Sequence, residues 1–403
     1  MSTFLTESSA AGPAPPPLRL EFLDGLRGVT ALYVVLFHAY QLGTFDDPRV
    51  DAGLVWRIGH PAVSVFIVLS GFCLMLPVAR SGRGELRGGV RNYLKRRAWR
   101  ILPPYYAALV LGVLFLAVAH FARYGHGAAS GDKVLARHLS PGSLLSHLFL
   151  VHNLSSVWTE TIDVPMWSVA TEWLIYFFLP ALLLPAWRHF GGGAVLAAGF
   201  AAGLLPHYLL APGVNLDWAC PWYLGLFATG MAGAGLAFSP RPPSWAGRLP
   251  WGALAAALFV LLGALLVFAP AAIIGGHVWE TDALAGAAAT CLILWCVGLV
   301  KAPPAARPGL VRALEAPPTL WLGAFSYSLY LVHYPVLNKT ALALASRHPP
   351  DGARLAIVYA VGVPLALGLS YLFYLAFEKR FAAGPTSRRL PGAALKRDTE
   401  VSP

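Results

Sequence analysis

The sequence predicts an all-α, polytopic membrane protein of about ten transmembrane helices with both termini in the cytoplasm. Three observations predict it. Charged residues make up only 12% of the 403, about half of the ~25% that covers a soluble domain, while hydrophobic residues reach 57%. Ten stretches approach the ~20 apolar residues that a span requires. The basic residues, moreover, lie beside those stretches on one side. This composition excludes intrinsic disorder, a collagen-like chain and a secreted disulfide scaffold. The net charge of +11 would suggest nucleic acid in a soluble chain; here membrane orientation accounts for it.

The ten spans are read at about 25–43, 60–80, 101–121, 165–187, 191–211, 220–238, 251–269, 280–300, 319–338 and 355–377. The stretch 143–152 is apolar but too short, and is expected at the interface. Residues 1–19 are polar and proline-rich, without the apolar stretch of a cleavable signal, and are expected to form a disordered cytoplasmic arm. Residues 20–380 form the membrane domain, and 381–403 a disordered basic cytoplasmic tail. With the N-terminus inside, 22 of the 30 Lys and Arg residues fall in cytoplasmic segments and 8 outside. Gly225, Gly230 and Gly235 in the sixth span suit close helix packing. Cys73, Cys220, Cys291 and Cys296 form no CxxC pair and are expected as buried small hydrophobes. No metal site is predicted.

Ionisable groups inside spans are costly and need a reason. In the first span Arg27 and His38 are eleven residues apart, about 20° past three turns, so they share a face with a rise of ~16 Å. Taking Arg27 as the cytoplasmic end puts His38 near mid-bilayer. Ser70 lies at mid-depth in the second span, where a packing role is also open. Arg97 and Arg100, at i, i+3, can fork onto phosphate or anchor anionic lipid. Glu172 in the fourth span is expected at the depth of His38, with Tyr176 one turn further. Ser326, Tyr330 and His333 form a polar stripe at i, i+4, i+7 in the ninth span, readable also as interhelical hydrogen bonding. Together His38, Glu172, Ser70 and His333 are expected at one level above a basic cytoplasmic gate.

These ordered motifs resemble those of the acyltransferase 3 family. They are Arg27 with ten residues before His38, the Phe66–Phe72 segment with Ser70-Gly71, and Arg97-x-x-Arg100 followed by proline and tyrosine. Trp167-Ser168 with Glu172 and Tyr176, and Ser326-Tyr327 with Tyr330 and His333, complete the set. The resemblance implies a ten-helix O-acyltransferase that moves an acyl group, commonly acetyl, from acyl-coenzyme A to a hydroxyl. The acceptor would be a glycan, a lipid-linked sugar or a secondary metabolite. It associates the Arg-to-His motif and the Arg pair with the active site and coenzyme A. The chemistry suits the residues, because acyl transfer to an alcohol needs a base for the hydroxyl proton and neutral imidazole serves at pH 7. His38 is read as that base or as an acyl-carrying nucleophile, with Glu172 balancing it. Arg97 and Arg100 would hold coenzyme A phosphates. Arg27, Ser70, Tyr176, Ser326, Tyr330 and His333 would bind substrate. Acyl-CoA is a co-substrate, and no tightly bound cofactor is expected. The site is the inner (plasma) membrane, where a homo-oligomer is compatible with the chain. The alternative function is a proton-coupled secondary transporter, since mid-membrane His, Glu and Arg also build proton relays; such a carrier does not need the Arg97/Arg100 gate.

Overall fold

A computed structural model describes residues 20–44, 52–81, 84–124, 135–210, 216–300, 302–345 and 351–382. Among them all regular structure is helical, and ten long helices dominate. They are α1 (Glu21–Gly43), α2 (Ala52–Ser81), α3 (Gly89–Tyr124) and α4 (Met166–Phe190). Then come α5 (Gly192–Leu209), α6 (Tyr223–Phe238), α7 (Trp251–Phe268), α8 (Val278–Leu299), α9 (Ser326–Ala345) and α10 (Gly352–Phe381). Eight of the described helices are long and apolar enough to cross a membrane. The two that fall short are α6, with 16 residues, and α9, whose polar stripe dilutes its apolar character. The protein is a multi-pass membrane protein. The arm at 1–19 and the tail from 383 lie outside the described residues, while 381–382 close the last helix.

Two predicted spans shift. The third helix begins at Gly89, so the basic run Arg91–Arg100 is helical and continuous with the span. Pro103 and Pro104 remove two backbone donors from this helix, and the Tyr327 hydroxyl donates to the Ile101 carbonyl in that loosened segment (3.1 Å). The predicted span 319–338 divides instead into a short helix, Pro317–Ala324, and α9, hinged at Phe325. That short helix packs along the start of α1, where Gly323 abuts the backbone of Asp24. The stretch 141–148 forms a short helix outside the spans, as expected for an interfacial segment.

The core has two parts. One large cluster joins α2, α4, α6 and α8 through side chains such as Phe72, Met166, Phe227 and Ile293. A smaller one joins α1, α9 and α10 through Val35, Phe325, Leu337 and Val358. Between α2 and α6 the approach is backbone to backbone: Gly230 lies against the Val68 carbonyl and Gly71 against that of Phe227. Only a residue without Cβ fits there. The outer faces of α5 and α7 stay apolar and exposed, with Leu209 at 69% and Phe268 at 82%. In a bilayer this surface faces lipid, where apolar exposure carries no cost.

α1, α2, α3 and α4 alternate in direction. The start of α1, the end of α2, the start of α3 and the end of α4 share one end, where the Arg188 side chain of α4 donates to the Gly84 carbonyl (2.5 Å). The positive-inside asymmetry identifies this end with the cytoplasm, and it is called inner below.

Candidate active site

Two cavities lie end to end along the bundle axis, sharing Val63 and Tyr330 as walls. The inner cavity, about 390 Å³, is lined by α1, α2, α3, α4 and α9. The outer one, about 350 Å³, is closed by the outer halves of α1 and α2, the segment 159–167 and residues 217–222. Each is of the size that binds small molecules.

The inner cavity is polar. Arg27, Arg97 and Arg100 line it, with Asp24, Glu172 and the hydroxyl-bearing Ser70, Ser168, Tyr176, Ser326 and Tyr330. Arg27 bonds Asp24 (2.8 Å) and meets the Cys73 sulfur at 3.5 Å. Cys73 is therefore more than a packing residue. Glu172 accepts from the Tyr176 hydroxyl one helical turn away (2.6 Å) and from the Ser70 hydroxyl across the cavity. The Ser168 and Tyr330 hydroxyls meet at 2.6 Å on the wall between the cavities. Ser326 caps back onto the Gly323 carbonyl (3.0 Å). Arg97 carries a buried Nε with no hydrogen-bond partner. An unsatisfied buried N–H costs ~1–3 kcal/mol, so this guanidinium is primed for an anion.

The outer cavity holds His38. Its Nδ1 lies 2.8 Å from His333 Nε2, and His333 Nδ1 lies 2.8 Å from the Leu329 carbonyl. A carbonyl only accepts, so His333 Nδ1 carries the proton and its Nε2 accepts. In the neutral pair His38 therefore donates through Nδ1, and its Nε2 bears a lone pair. His333 is fully buried, whereas His38 is partly exposed and lines the cavity. Tyr334 packs edge-on to the His38 ring at 5.1 Å.

The expected meeting of four residues at one level does not occur. His38 and His333 come together in the outer cavity, whereas Ser70 and Glu172 come together in the inner one. Glu172 does not balance His38. The cause is the start of α1: the helix opens at Glu21, not near Arg27, so at 1.5 Å per residue His38 lies ~25 Å along it. Arg27 is correspondingly ~9 Å inside. The one-face relation remains, with Arg27 facing the inner cavity and His38 the outer.

Three chemically capable groups escaped the sequence reading. Glu378, on a π-turn of α10, is 4% exposed and accepts from the Ser328 backbone N–H (3.0 Å) and hydroxyl. Arg100 and Arg27 are the cations in its field. His60 and Asp282 meet beside the outer cavity. All three fall at the ends of predicted spans, where a charge needs no explanation, and so they drew none. The signal lay in their combination, which linear sequence does not display.

Comparison with known proteins follows the same lines. The model of an acyltransferase domain, that of the acyltransferase 3 family, matches residues 20–375. Acyltransferase MdmB of Streptomyces mycarofaciens is 28% identical over 347 residues, covering 80% of this chain and 80% of that protein. The putative membrane-bound transacylase BcsY of Komagataeibacter xylinus is 28% identical, covering 94% and 88%. Peptidoglycan O-acetyltransferase OatA of Listeria monocytogenes is 22% identical, covering 81% of this chain and 51% of that protein. No solved structure matches. An anion-ready inner cavity behind a histidine with a free lone pair is what acyl transfer needs, and the family match covers every helix that builds it: the chain belongs to the acyltransferase 3 family and is a membrane O-acyltransferase.

Proposed function

We propose that the enzyme transfers an acetyl or other short acyl group from acyl-coenzyme A to a hydroxyl of a carbohydrate or related acceptor in the plasma membrane. The observation that carries this reading is the pair of abutting cavities, cationic on the inner side and histidine-bearing on the outer. Coenzyme A is too polar to enter the bilayer whole, but its pantetheine arm is long and thin. Its phosphates would pair with Arg97 and Arg100, completing the unsatisfied Arg97 Nε. The thioester would then reach the Ser168–Tyr330 wall. The acceptor would enter the outer cavity, whose aromatic side chains Trp167, Trp218, Trp222 and Trp279 suit the apolar faces of a sugar ring.

In this mechanism His38 Nε2 removes the acceptor hydroxyl proton. The oxygen forms its bond to the acyl carbon as the bond to sulfur breaks, and the proton ends on the coenzyme A thiol. His333 holds the His38 proton on Nδ1 throughout, so the basic nitrogen always faces the acceptor. Glu172, with Ser70 and Tyr176, shapes the donor side. OatA, named for peptidoglycan O-acetylation, supports a glycan acceptor; MdmB leaves its own acceptor unnamed.

The test is acetyl-CoA binding and turnover in detergent. Arg97→Ala with Arg100→Ala is expected to raise the donor Kd, with Lys substitutions rescuing in part because an ammonium lacks the planar fork. Unchanged calorimetric binding in the double Ala protein would remove the donor assignment. His38→Ala is expected to lower transfer by ~10²–10⁴-fold with donor binding kept.

A further inference from the structure

The outer cavity contains a second histidine that the mechanism above does not use. His60 Nδ1 lies 2.9 Å from Asp282 Oδ1. Asp282 is fully buried and also accepts from the Ser64 hydroxyl (2.6 Å) and the Trp222 indole N–H (2.7 Å). Three donors around one buried carboxylate satisfy its charge and fix its position. Because a carboxylate accepts, His60 carries its proton on Nδ1 and presents Nε2 as a base. The sulfur of Cys220 lies 3.7 Å from that Nε2. Trp167 stacks on the imidazole at 5.8 Å and 10°, which holds the ring's plane.

The Cys220 backbone gives an independent sign. Its φ of 45° and ψ of 59° are left-handed, a conformation that non-glycine residues rarely hold and that collects at active sites. Cys220, His60 and Trp167 all line the outer cavity. His60 is also one turn along α2 from Val63, which walls both cavities. A nucleophile, a base within reach of it and an acid orienting that base are the parts of a covalent acyl-transfer site.

We propose that Cys220, His60 and Asp282 form a catalytic triad, in which Cys220 carries the acyl group as a thioester between donor and acceptor. The proposal rests on the acyl-CoA reading above and changes its route from one step to two. In the first half, His60 Nε2 takes the Cys220 thiol proton and the sulfur attacks the donor carbonyl. The carbon–sulfur bond to coenzyme A breaks, and the proton passes from His60 to the departing thiolate. Asp282 stabilises the transient imidazolium. One thioester replaces another, so the step is nearly balanced in energy. In the second half, His38 takes the acceptor's hydroxyl proton and the oxygen bonds to the acyl carbon. The Cys220–acyl bond breaks, and an equal proton returns through His60 to the Cys220 sulfur. No oxidant or further reactant is consumed.

The experiment is peptide mass spectrometry of the full chain incubated with acetyl-CoA in detergent, without acceptor. One acetyl group is expected on Cys220, removable by hydroxylamine and absent in Cys220→Ala. His60→Ala should slow its appearance by ~10²-fold or more, and His38→Ala should let it accumulate by blocking the second half. Cys220→Ala is expected to lose transfer while its thermal midpoint stays near wild type. A Cys220→Ala protein that transfers at the wild-type rate would overturn the proposal. So would a wild-type protein that turns over yet bears no acetyl on Cys220, a measurement that does not depend on any variant folding. In both cases coenzyme A release and acceptor acylation persist, so the acyl-CoA reading survives. A wild-type protein that never consumes acetyl-CoA defeats that reading and this proposal together.

Discussion

At the scale of single residues, the His38–His333 contact is where one hydrogen bond decides chemistry. The Leu329 carbonyl sets the His333 tautomer, and His333 sets that of His38. His333→Ala removes the acceptor for His38 Nδ1–H, so the ring can present either nitrogen to the substrate. The expected result is a fall of ~10²-fold in kcat with donor KM little changed, in the manner of an orienting group. Equal loss of donor binding would show that His333 is merely structural. A different histidine pair governs stability. His147 and His152 stack at 3.8 Å outside the spans, both fully buried. Burial lowers His147 to about 4 and His152 to about 3, the charge of His147 also disfavouring His152. Both folded-state values lie below the ordinary 6.5. The unfolded chain therefore binds protons that the folded one refuses once the pH drops below that value. Stability is full above about pH 6.5 and declines as the pH falls toward 4, by up to about 1.4 kcal/mol per unit for each ring. The thermal midpoint should drop between pH 7 and pH 5, and His152→Phe should reduce that drop. An identical pH slope in the variant would show that the pair does not titrate on unfolding.

Among the elements, the α2–α6 contact carries the α2 residues Ser70, Val63 and His60 into their places. Its closeness depends on Gly71 and Gly230, where an added Cβ meets backbone atoms that cannot give way. Gly230→Ala should destabilise the protein by ~1–3 kcal/mol, the usual cost of overpacking. Gly263, on the apolar helix α7, has no atom within 4 Å of such a Cβ. Gly263→Ala should therefore be neutral, or stabilising by up to ~1 kcal/mol through helix propensity. Thermal midpoints of the two variants in detergent check the contrast; similar shifts would refute the packing account. π-turns inside α4 and α10 act at the same scale. The turn at Tyr374–Glu378 brings Glu378 onto Ser328 of α9, although its place in the sequence reads as the plain end of a span.

For the whole molecule, the two cavities open the reaction to opposite sides of the bilayer, which requires the inner end to be cytoplasmic. An impermeant thiol reagent applied to intact cells should label Val157→Cys, exposed at 53% on the outer side, but not Gly88→Cys beside the basic start of α3. The background is a chain with Cys73, Cys220, Cys291 and Cys296 replaced. Labelling at Gly88 would invert the arrangement. Much of this architecture was legible in the linear chain. Long apolar runs separated by charge dictate membrane helices, because the bilayer leaves the backbone no other way to satisfy its hydrogen bonds. Local spacing likewise placed Arg27 with His38, Arg97 with Arg100, and Tyr330 with His333 on shared faces, since helical geometry depends on sequence separation alone. What spacing could not supply was depth between helices and partnership across them. The early start of α1 moved His38 away from Glu172 and onto His333. The break at Phe325 reset the register of α9. Packing of α2 against α6 and α8 assembled Cys220, His60 and Asp282 from positions 60, 220 and 282. Those contacts join residues more than 50 positions apart, and only tertiary packing, which responds to shape across the whole bundle, decides them.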